Sequence, residues 1–136
     1  PHPDFKYHPT MDDIYMHIAL FKHAALLVNH SSTVAIESFA AGTPVINIKY
    51  GKPGDWLGWH RSAVRRDFKE HYQDILRDHP TRVVTSKQEL IAATNRYLED
   101  PSLEQSERQQ NLQRMTTITD GTASLQMLAF FKDIAV

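Results

Sequence analysis

A short apolar run, a polar turn, a helical segment and a second apolar run follow one another early in the chain, and this order restricts the fold more than any other feature. Ala25–Asn29 form a run that is typical of a strand buried on both faces. We predict a helix over Val34–Ala41, which Gly42 ends as a C-cap and Pro44 prevents from continuing. Val45–Ile48 form the second predicted strand. Together these elements predict a βαβ unit with parallel strands and a right-handed crossover.

The rest of the chain predicts one more strand and several helices. Apolar residues at helical spacing, capping signals and proline stops set the boundaries of these elements. We predict a helix from Met11 to about Lys22, an irregular loop over 50–59 and a strand over 82–85. A charged helical stretch is predicted over 62–78, and the apolar residues on one of its faces are Val64, Phe68, Tyr72, Ile75 and Leu76. Further helices are predicted to open at Ser86, where Ser86 and Glu89 fit a capping box, at Ser102 and after Gly121. We expect one side of the last helix to face a core. The apolar residues on that side are Leu125, Leu128, Phe131 and Ile134.

Three strands are few for this many helices, because common parallel sheets have about five or six strands. The proline-rich stretch over 1–10 is predicted to be a loop, and Pro1 resembles the exit from a strand. We therefore expect either that the chain is a fragment or lobe of a larger protein, or that a partner covers an open sheet edge.

The composition is that of one globular domain. The 136 residues are 41% hydrophobic and 23% charged, and the formal net charge is −1. This near-balance argues against binding to nucleic acid or an anionic membrane by bulk charge. The chain has 0 cysteines, which excludes a disulfide scaffold, a zinc finger and a thiol nucleophile. No apolar run approaches the about 20 residues of a membrane span, and the opening residues lack a signal-peptide pattern. We expect a cytoplasmic protein.

The polar turn between the first strand and its helix holds the densest chemical signal. Ser31, Ser32 and Thr33, which we call the serine turn, offer hydroxyl groups beside the unpaired N–H groups and the positive dipole end of a helix. This combination suits a phosphate. Glu37, one helical turn further, is suited to accept bonds from two ribose hydroxyls. The alternative is that the serine turn only caps the helix and that Glu37 is a solvated helix residue.

The segment SSTVAIESFAAGTPVI at 31–46 resembles the nucleotide-binding signature in the C-terminal lobe of two-lobed GT-B glycosyltransferases. The nearest group is the bacterial surface-polysaccharide enzymes, including CDP-glycerol glycerophosphotransferases and the capsule sialyl- and Kdo-transferases. His2-Pro3 and the serine turn match their His-Pro and Ser-Ser/Thr motifs, with His8-Pro9 as the alternative to His2-Pro3. The segment at 120–124 is similar to the start of their last helix. Residues 50–80 match no motif of this family.

This resemblance implies an α/β, Rossmann-like three-layer domain with a short parallel sheet flanked by helices, which is half of a GT-B fold. It implies that Ser31, Ser32 and Thr33 bind the phosphates of a nucleotide-activated sugar or glycerol donor and that Glu37 holds the ribose. His2 would assist the leaving nucleotide, with His30 as a second candidate. GT-B enzymes need no metal or other cofactor for this step, and their catalytic base usually lies on the N-terminal lobe. The isolated chain is therefore expected to hold half of an active site.

Two other functions remain open from the sequence. One is a stand-alone, non-catalytic module that binds a nucleotide or sugar phosphate, or that dimerises through its open sheet edge. The other is an epimerase-type relative acting on UDP-sugars, with carboxylates supplied by a missing half. A hydrolase based on Ser31 is disfavoured because Gly-x-Ser-x-Gly is absent. A P-loop is rejected because no Gly-Lys-Ser/Thr follows the glycine-rich loop.

Overall fold

The computed structural model describes residues 9–51, 54, 56–68, 72–118 and 120–134. These residues form eight helices and three strands. In chain order, the elements are α1 (Met11–His23), β1 (Leu27–Asn29), α2 (Val34–Ala41), β2 (Val45–Ile48), α3 (Trp56–Arg61), α4 (Ala63–Asp67), α5 (Gln73–Leu76), β3 (Arg82–Val84), α6 (Lys87–Glu99), α7 (Gln105–Met115) and α8 (Ala123–Ile134).

The three strands form one parallel sheet in the order β1-β2-β3. Asn29 at the end of β1 pairs with Asn47 in β2, and Asn47 in turn pairs with Val83 in β3. The predicted α/β class with a short parallel sheet flanked by helices is therefore confirmed within the described residues. The carboxyl ends of parallel strands share one edge of a sheet, where ligands of α/β proteins bind.

Each face of the sheet packs on its own hydrophobic cluster. On the side we call the α2 face, Val45 contacts Ala35 and Phe39 of α2 together with Phe68 and further buried residues. On the opposite side, the α6 face, a second cluster is centred on Ile46, Val84 and Tyr97. Residues two apart on a strand point to the same face, so Val45 and Asn47 both face α2. The α2 face is thus where the buried polar residues of the strands lie.

Side-chain caps mark the starts of α1, α4 and α6. Thr10 and Asp13 form a reciprocal capping box at the start of α1. The predicted box at Ser86 is only half right: Ser86 accepts the N–H of Glu89 at 3.2 Å, whereas the Glu89 carboxylate accepts the N–H of Thr85 at 2.6 Å. The predicted start at Ser102 is wrong, because α7 begins at Gln105. The Ser102 hydroxyl donates a hydrogen bond to the Asp100 carboxylate at 2.6 Å and does not cap a helix.

The segment between β2 and β3 differs most from its prediction. Trp56–Arg61 form helix α3 where a loop was predicted. The predicted single helical stretch over 62–78 contains two short helices, α4 and α5, and the residues between Phe68 and Tyr72 lie outside the described part of the chain. Phe68, Tyr72 and Ile75 are nevertheless buried, as their helical spacing predicts. The apolar pattern therefore identified the buried side of this segment but not its helix boundaries.

Helices α1 and α8 expose much of their apolar surface. The prediction that the apolar side of α8 faces a core is wrong for Leu125, Leu128 and Phe131, each of which is more than half exposed. Ile134 belongs to α8, but its side chain is outside the description. The helices within the described residues include none with the length and apolar character that a membrane crossing needs.

Gly42 ends α2 in the left-handed conformation, with φ at 81°. Replacing Gly42 with alanine should lower the free energy of unfolding by about 1 kcal/mol, because an L side chain is strained at this φ. A Cβ at this position would meet no atom within 4 Å, so the backbone alone causes the loss. Urea denaturation measures the effect. Gly42→Asn should retain most of the stability, since asparagine tolerates this conformation; equal losses for both variants would contradict the explanation.

Candidate functional site

The serine turn connects the carboxyl end of β1 to the first residue of α2. Thr33 occupies the N-cap position, but its side chain makes no capping hydrogen bond. The hydroxyl of Ser32 accepts the N–H of Val34 at 3.4 Å, which is long for a hydrogen bond. Ser32 and Thr33 are exposed and Ser31 is half-buried. Capping therefore does not occupy all the hydroxyl groups of this turn, and the turn lies at the sheet edge where ligands of α/β proteins bind.

A buried polar network fixes the backbone of the serine turn. The side-chain amide of Asn29 donates to the Ser32 carbonyl at 2.9 Å and to the Tyr72 hydroxyl at 3.1 Å. Tyr72 donates to Asn47 Oδ1 at 2.8 Å, and Asn47 Nδ2 donates to Thr81 Oγ1 at 2.7 Å. We call Asn29, Tyr72, Asn47 and Thr81 the polar network. It holds the position of the turn from inside the protein, without using the exposed hydroxyls.

The direction of these bonds depends on Tyr72 keeping its proton. Burial raises the pKa of the Tyr72 hydroxyl well above its usual value, although its bonds to Asn29 and Asn47 act in the opposite direction. The hydroxyl therefore keeps its proton, and remains a donor, at neutral pH. Asn47 must present its side-chain oxygen to the Tyr72 hydroxyl proton, and Asn29 must present its NH₂ group to the Tyr72 oxygen. The Tyr72 hydroxyl therefore sets the orientation of both side-chain amides.

His30 and Ser31 have protein partners close to the turn. Nδ1 of His30 lies 3.2 Å from the carbonyl oxygen of Ile48, which favours a proton on Nδ1 and leaves Nε2 directed elsewhere. The Ser31 hydroxyl lies 3.5 Å from Oδ2 of Asp67. This carboxylate repels an anion at Ser31. The side of the turn formed by Ser32 and Thr33 is consequently better suited to a phosphate.

Glu37 lies one helical turn beyond Thr33, on the same side of α2. Its Oε2 pairs with Nε2 of His17 in α1 at 2.9 Å, and both side chains are more than half exposed. The two residues lie at a groove between α1 and α2 with a volume of about 370 Å³, whose other lining residues are Ile18, Phe21, Lys22, Ala40 and Ala41. Glu37 is accessible to a ligand, but it must leave or share His17 to bind one.

Of the predicted site residues, the structure brings Ser31, Ser32 and Thr33 together at the start of α2, with His30 beside them. Glu37 lies next to this group along the helix. His2 is outside the described residues. Sequence reasoning missed the polar network, although one signal was present: both strands of the βαβ unit contain an asparagine near their carboxyl ends.

Sequence reasoning also missed Lys49, which follows β2 directly. Its Nζ lies 5.7 Å from the centre of the Phe68 ring, within the range of a cation–π contact. Phe68 belongs to the hydrophobic cluster on the α2 face, so Lys49 lies on the same side of the sheet as the polar network. The signal was its position immediately after a predicted strand.

Among the described residues, no group of three or more His, Asp or Glu side chains could hold a metal ion. No protein-family model, no curated protein and no solved structure matches this chain. The function therefore has to be inferred from the geometry of the serine turn and its surroundings.

Proposed function

We propose that this chain is the nucleotide-binding lobe of a glycosyltransferase-like enzyme of the GT-B type that acts in surface-polysaccharide synthesis. The observation that carries the proposal is the serine turn at the carboxyl end of β1, in which Ser32 and Thr33 are exposed and Asn29 holds the backbone through the Ser32 carbonyl. A helix start at this position favours an anion by its N–H groups and its dipole. A nucleoside diphosphate linked to a sugar or to glycerol offers an anion of this kind.

In this function, Ser32 and Thr33 donate hydrogen bonds to the donor phosphates. Ser31 joins them once its hydroxyl turns away from Asp67, which lies at the limit of hydrogen-bond distance. Glu37 accepts bonds from the ribose hydroxyls after its contact with His17 opens or is shared. That contact joins two exposed side chains, and such surface pairs contribute only about 0–1 kcal/mol. The rearrangement is therefore inexpensive relative to two bonds from a ribose.

Transfer breaks the bond between the donor group and the nucleotide, and negative charge develops on the departing phosphate. Groups that donate to that charge lower the barrier. His30 donates from Nε2 in its imidazolium form, since Nδ1 already faces the Ile48 carbonyl. His2 has the same role by its resemblance to the His-Pro motif. The base that deprotonates the acceptor belongs to a separate lobe, so the isolated chain should bind the donor without turnover.

A second candidate function is a binding or dimerisation module without catalysis. The observation that favours it is the exposed apolar surface of α1 and α8, which includes Leu20, Leu125 and Phe130, each more than 60% exposed. Exposed apolar surface of this kind marks protein interfaces. The same surface would serve a second lobe in the first candidate, so nucleotide binding and turnover distinguish the two functions.

Calorimetric titration with CDP, CMP, UDP and GDP tests nucleotide binding directly. We expect one of these nucleotides to bind, and Ser32→Ala and Glu37→Ala each to weaken its binding by about 1–3 kcal/mol through loss of a direct hydrogen bond. Ser106→Ala and Glu99→Ala are matched controls, because both residues are exposed on α7 and α6, away from the turn.

Two outcomes would contradict the proposal. If none of the four nucleotides binds while circular dichroism shows an intact fold, the serine turn is a structural cap. If a nucleotide binds but Ser32→Ala and Glu37→Ala leave its affinity at the level of the controls, the nucleotide site lies elsewhere on the chain.

A further inference from the structure

A trough with a volume of about 570 Å³ lies on the α2 face of β3, and none of its lining residues belongs to the serine turn. Its volume is within the range of about 300–1,000 Å³ that small-molecule sites occupy. Helix α5 forms one wall, and β3 with the residue before it forms the floor. We call this cavity the β3 trough, and its lining residues are Lys49, Gln73, Leu76, Arg77, His79, Thr81 and Val83.

The charge of the β3 trough is positive. Lys49 and Arg77 are cationic and His79 adds an imidazole, whereas no carboxylate is among the lining residues that the structure describes. Arg77 pairs with Asp74 at 2.9 Å, but this pair uses one of its five N–H groups. Within the described part of the chain, Lys49 has no carboxylate partner and contacts the Phe68 ring. An anionic ligand would compensate these charges.

The polar and apolar groups of the trough match a sugar. Thr81 lines the cavity, and its hydroxyl oxygen accepts a bond from Asn47 Nδ2, which does not use the hydroxyl proton. Gln73 donates its amide to the Phe68 carbonyl, which leaves its Oε1 to accept a bond from a ligand hydroxyl. Leu76 and Val83 supply an apolar surface for the face of a sugar ring. Fixed polar groups beside an apolar wall are typical of small-molecule sites.

The backbone at the end of the trough is strained. His79 has φ at 57° and the preceding Asp78 has φ at 65°, both in the left-handed region. Two such residues in succession without a glycine cost free energy, and strain of this kind concentrates at functional sites. The buried Pro80 and the bond from Asn47 to Thr81 hold the segment that follows. The backbone at this end of the trough is therefore fixed by packing and by a buried hydrogen bond.

From these observations, we infer that the β3 trough is a second binding site, for the phosphate and ring of a sugar phosphate. Lys49 and Arg77 bind the phosphate, and Thr81 with Gln73 binds the sugar hydroxyls. The inference goes beyond the proposed nucleotide site and does not depend on it. The polar network joins the two sites, since Thr81 at one end borders the trough and Asn29 at the other holds the Ser32 carbonyl.

Titration of the ¹⁵N-labelled chain with glucose 6-phosphate, followed by amide chemical shifts, tests this site. We expect saturable shifts at Thr81 and Val83, and no comparable shifts with glucose alone. Lys49→Gln and Arg77→Gln should each weaken binding by about fivefold, as the loss of one partly exposed charge contact predicts. Lys87→Gln is the matched control, because Lys87 is exposed at the start of α6 and does not line the trough.

The position of the shifts separates this inference from the nucleotide proposal. Shifts confined to the serine turn and α2, or an affinity that Lys49→Gln and Arg77→Gln leave unchanged, would overturn the trough site. Equal affinity for inorganic phosphate and glucose 6-phosphate would overturn its sugar specificity. Ser32→Ala should leave the titration unaltered, so failure of nucleotide binding and failure of the trough site are distinguishable.

Discussion

Replacing Asn111 with aspartate is expected to lower the free energy of unfolding by about 3–5 kcal/mol, because it buries an unpaired charge. Asn111 is fully buried on α7. Its Nδ2 lies 3.3, 3.1 and 3.0 Å from the carbonyl oxygens of Asp74, Ile75 and Arg77 at the end of α5. Aspartate has nearly the same shape, but it would present a carboxylate oxygen to three carbonyl oxygens and to the negative end of the α5 dipole.

The loss should depend on pH in a defined direction. Burial and the carbonyl oxygens would raise the pKa of the introduced carboxyl above its value of about 4 in the unfolded chain. The folded state then binds a proton more readily, so the variant loses stability as pH rises through the folded pKa and recovers it as pH falls. Urea denaturation of the variant and the parent protein between pH 4 and pH 8 measures both effects.

Asn95→Asp is the matched control, since Asn95 is exposed on α6. It should change the free energy of unfolding by less than about 0.5 kcal/mol. A loss at Asn111→Asp no larger than that of the control would show that the carbonyl groups of α5 have another donor.

The second large effect is expected for Tyr72→Phe. The change removes one hydroxyl and retains the ring, which packs edge to face on Phe68 at 5.5 Å. It leaves Asn47 Oδ1 without its donor and one N–H of Asn29 without an acceptor, both inside the protein. Each unpaired buried group costs about 1–3 kcal/mol. We therefore expect a loss of about 2–4 kcal/mol in urea denaturation, together with weaker nucleotide binding as the serine turn loosens.

Alkaline pH should reduce the difference between this variant and the parent protein. Because burial raises the pKa of Tyr72 above its ordinary value of about 10, its contribution to stability is complete below pH 10 and declines as the pH rises further. Tyr72→Phe lacks this titration. Tyr15→Phe serves as the control, because Tyr15 is 61% exposed on α1, and a loss there equal to that at Tyr72 would argue against the polar network.

Local signals were sufficient for the βαβ unit. Helix α2, its C-cap at Gly42 and strand β2 agree with the boundaries that the sequence predicts. Each boundary depends on residues within a few positions: a left-handed glycine, a proline that prevents continuation, and a short apolar run. The position of the serine turn followed from the same pattern. Its proposed ligand remains a prediction.

Tertiary contacts decided what local patterns could not. The apolar side of α8 has the spacing of a core helix, yet Leu128 and Phe131 are exposed because no other described element covers them. The glycine-rich loop concealed α3, since local propensity favours a turn there. The polar network joins residues up to 43 positions apart, a separation that no periodicity reports. The sequence predicted a ribose as the partner of Glu37. Its contact with His17 was not predicted, because that contact depends on how α1 and α2 pack.

The pairing of Asn29 with Asn47 across β1 and β2 also discriminates against misaligned sheets. Shifting β1 by one residue would turn the Asn29 amide to the opposite side of the sheet, away from the Tyr72 hydroxyl that it contacts in the native register. The loss of this buried hydrogen bond adds to the cost of misplacing the apolar residues of β1. The same pair of side chains therefore favours the native strand register and fixes the backbone that leads into α2.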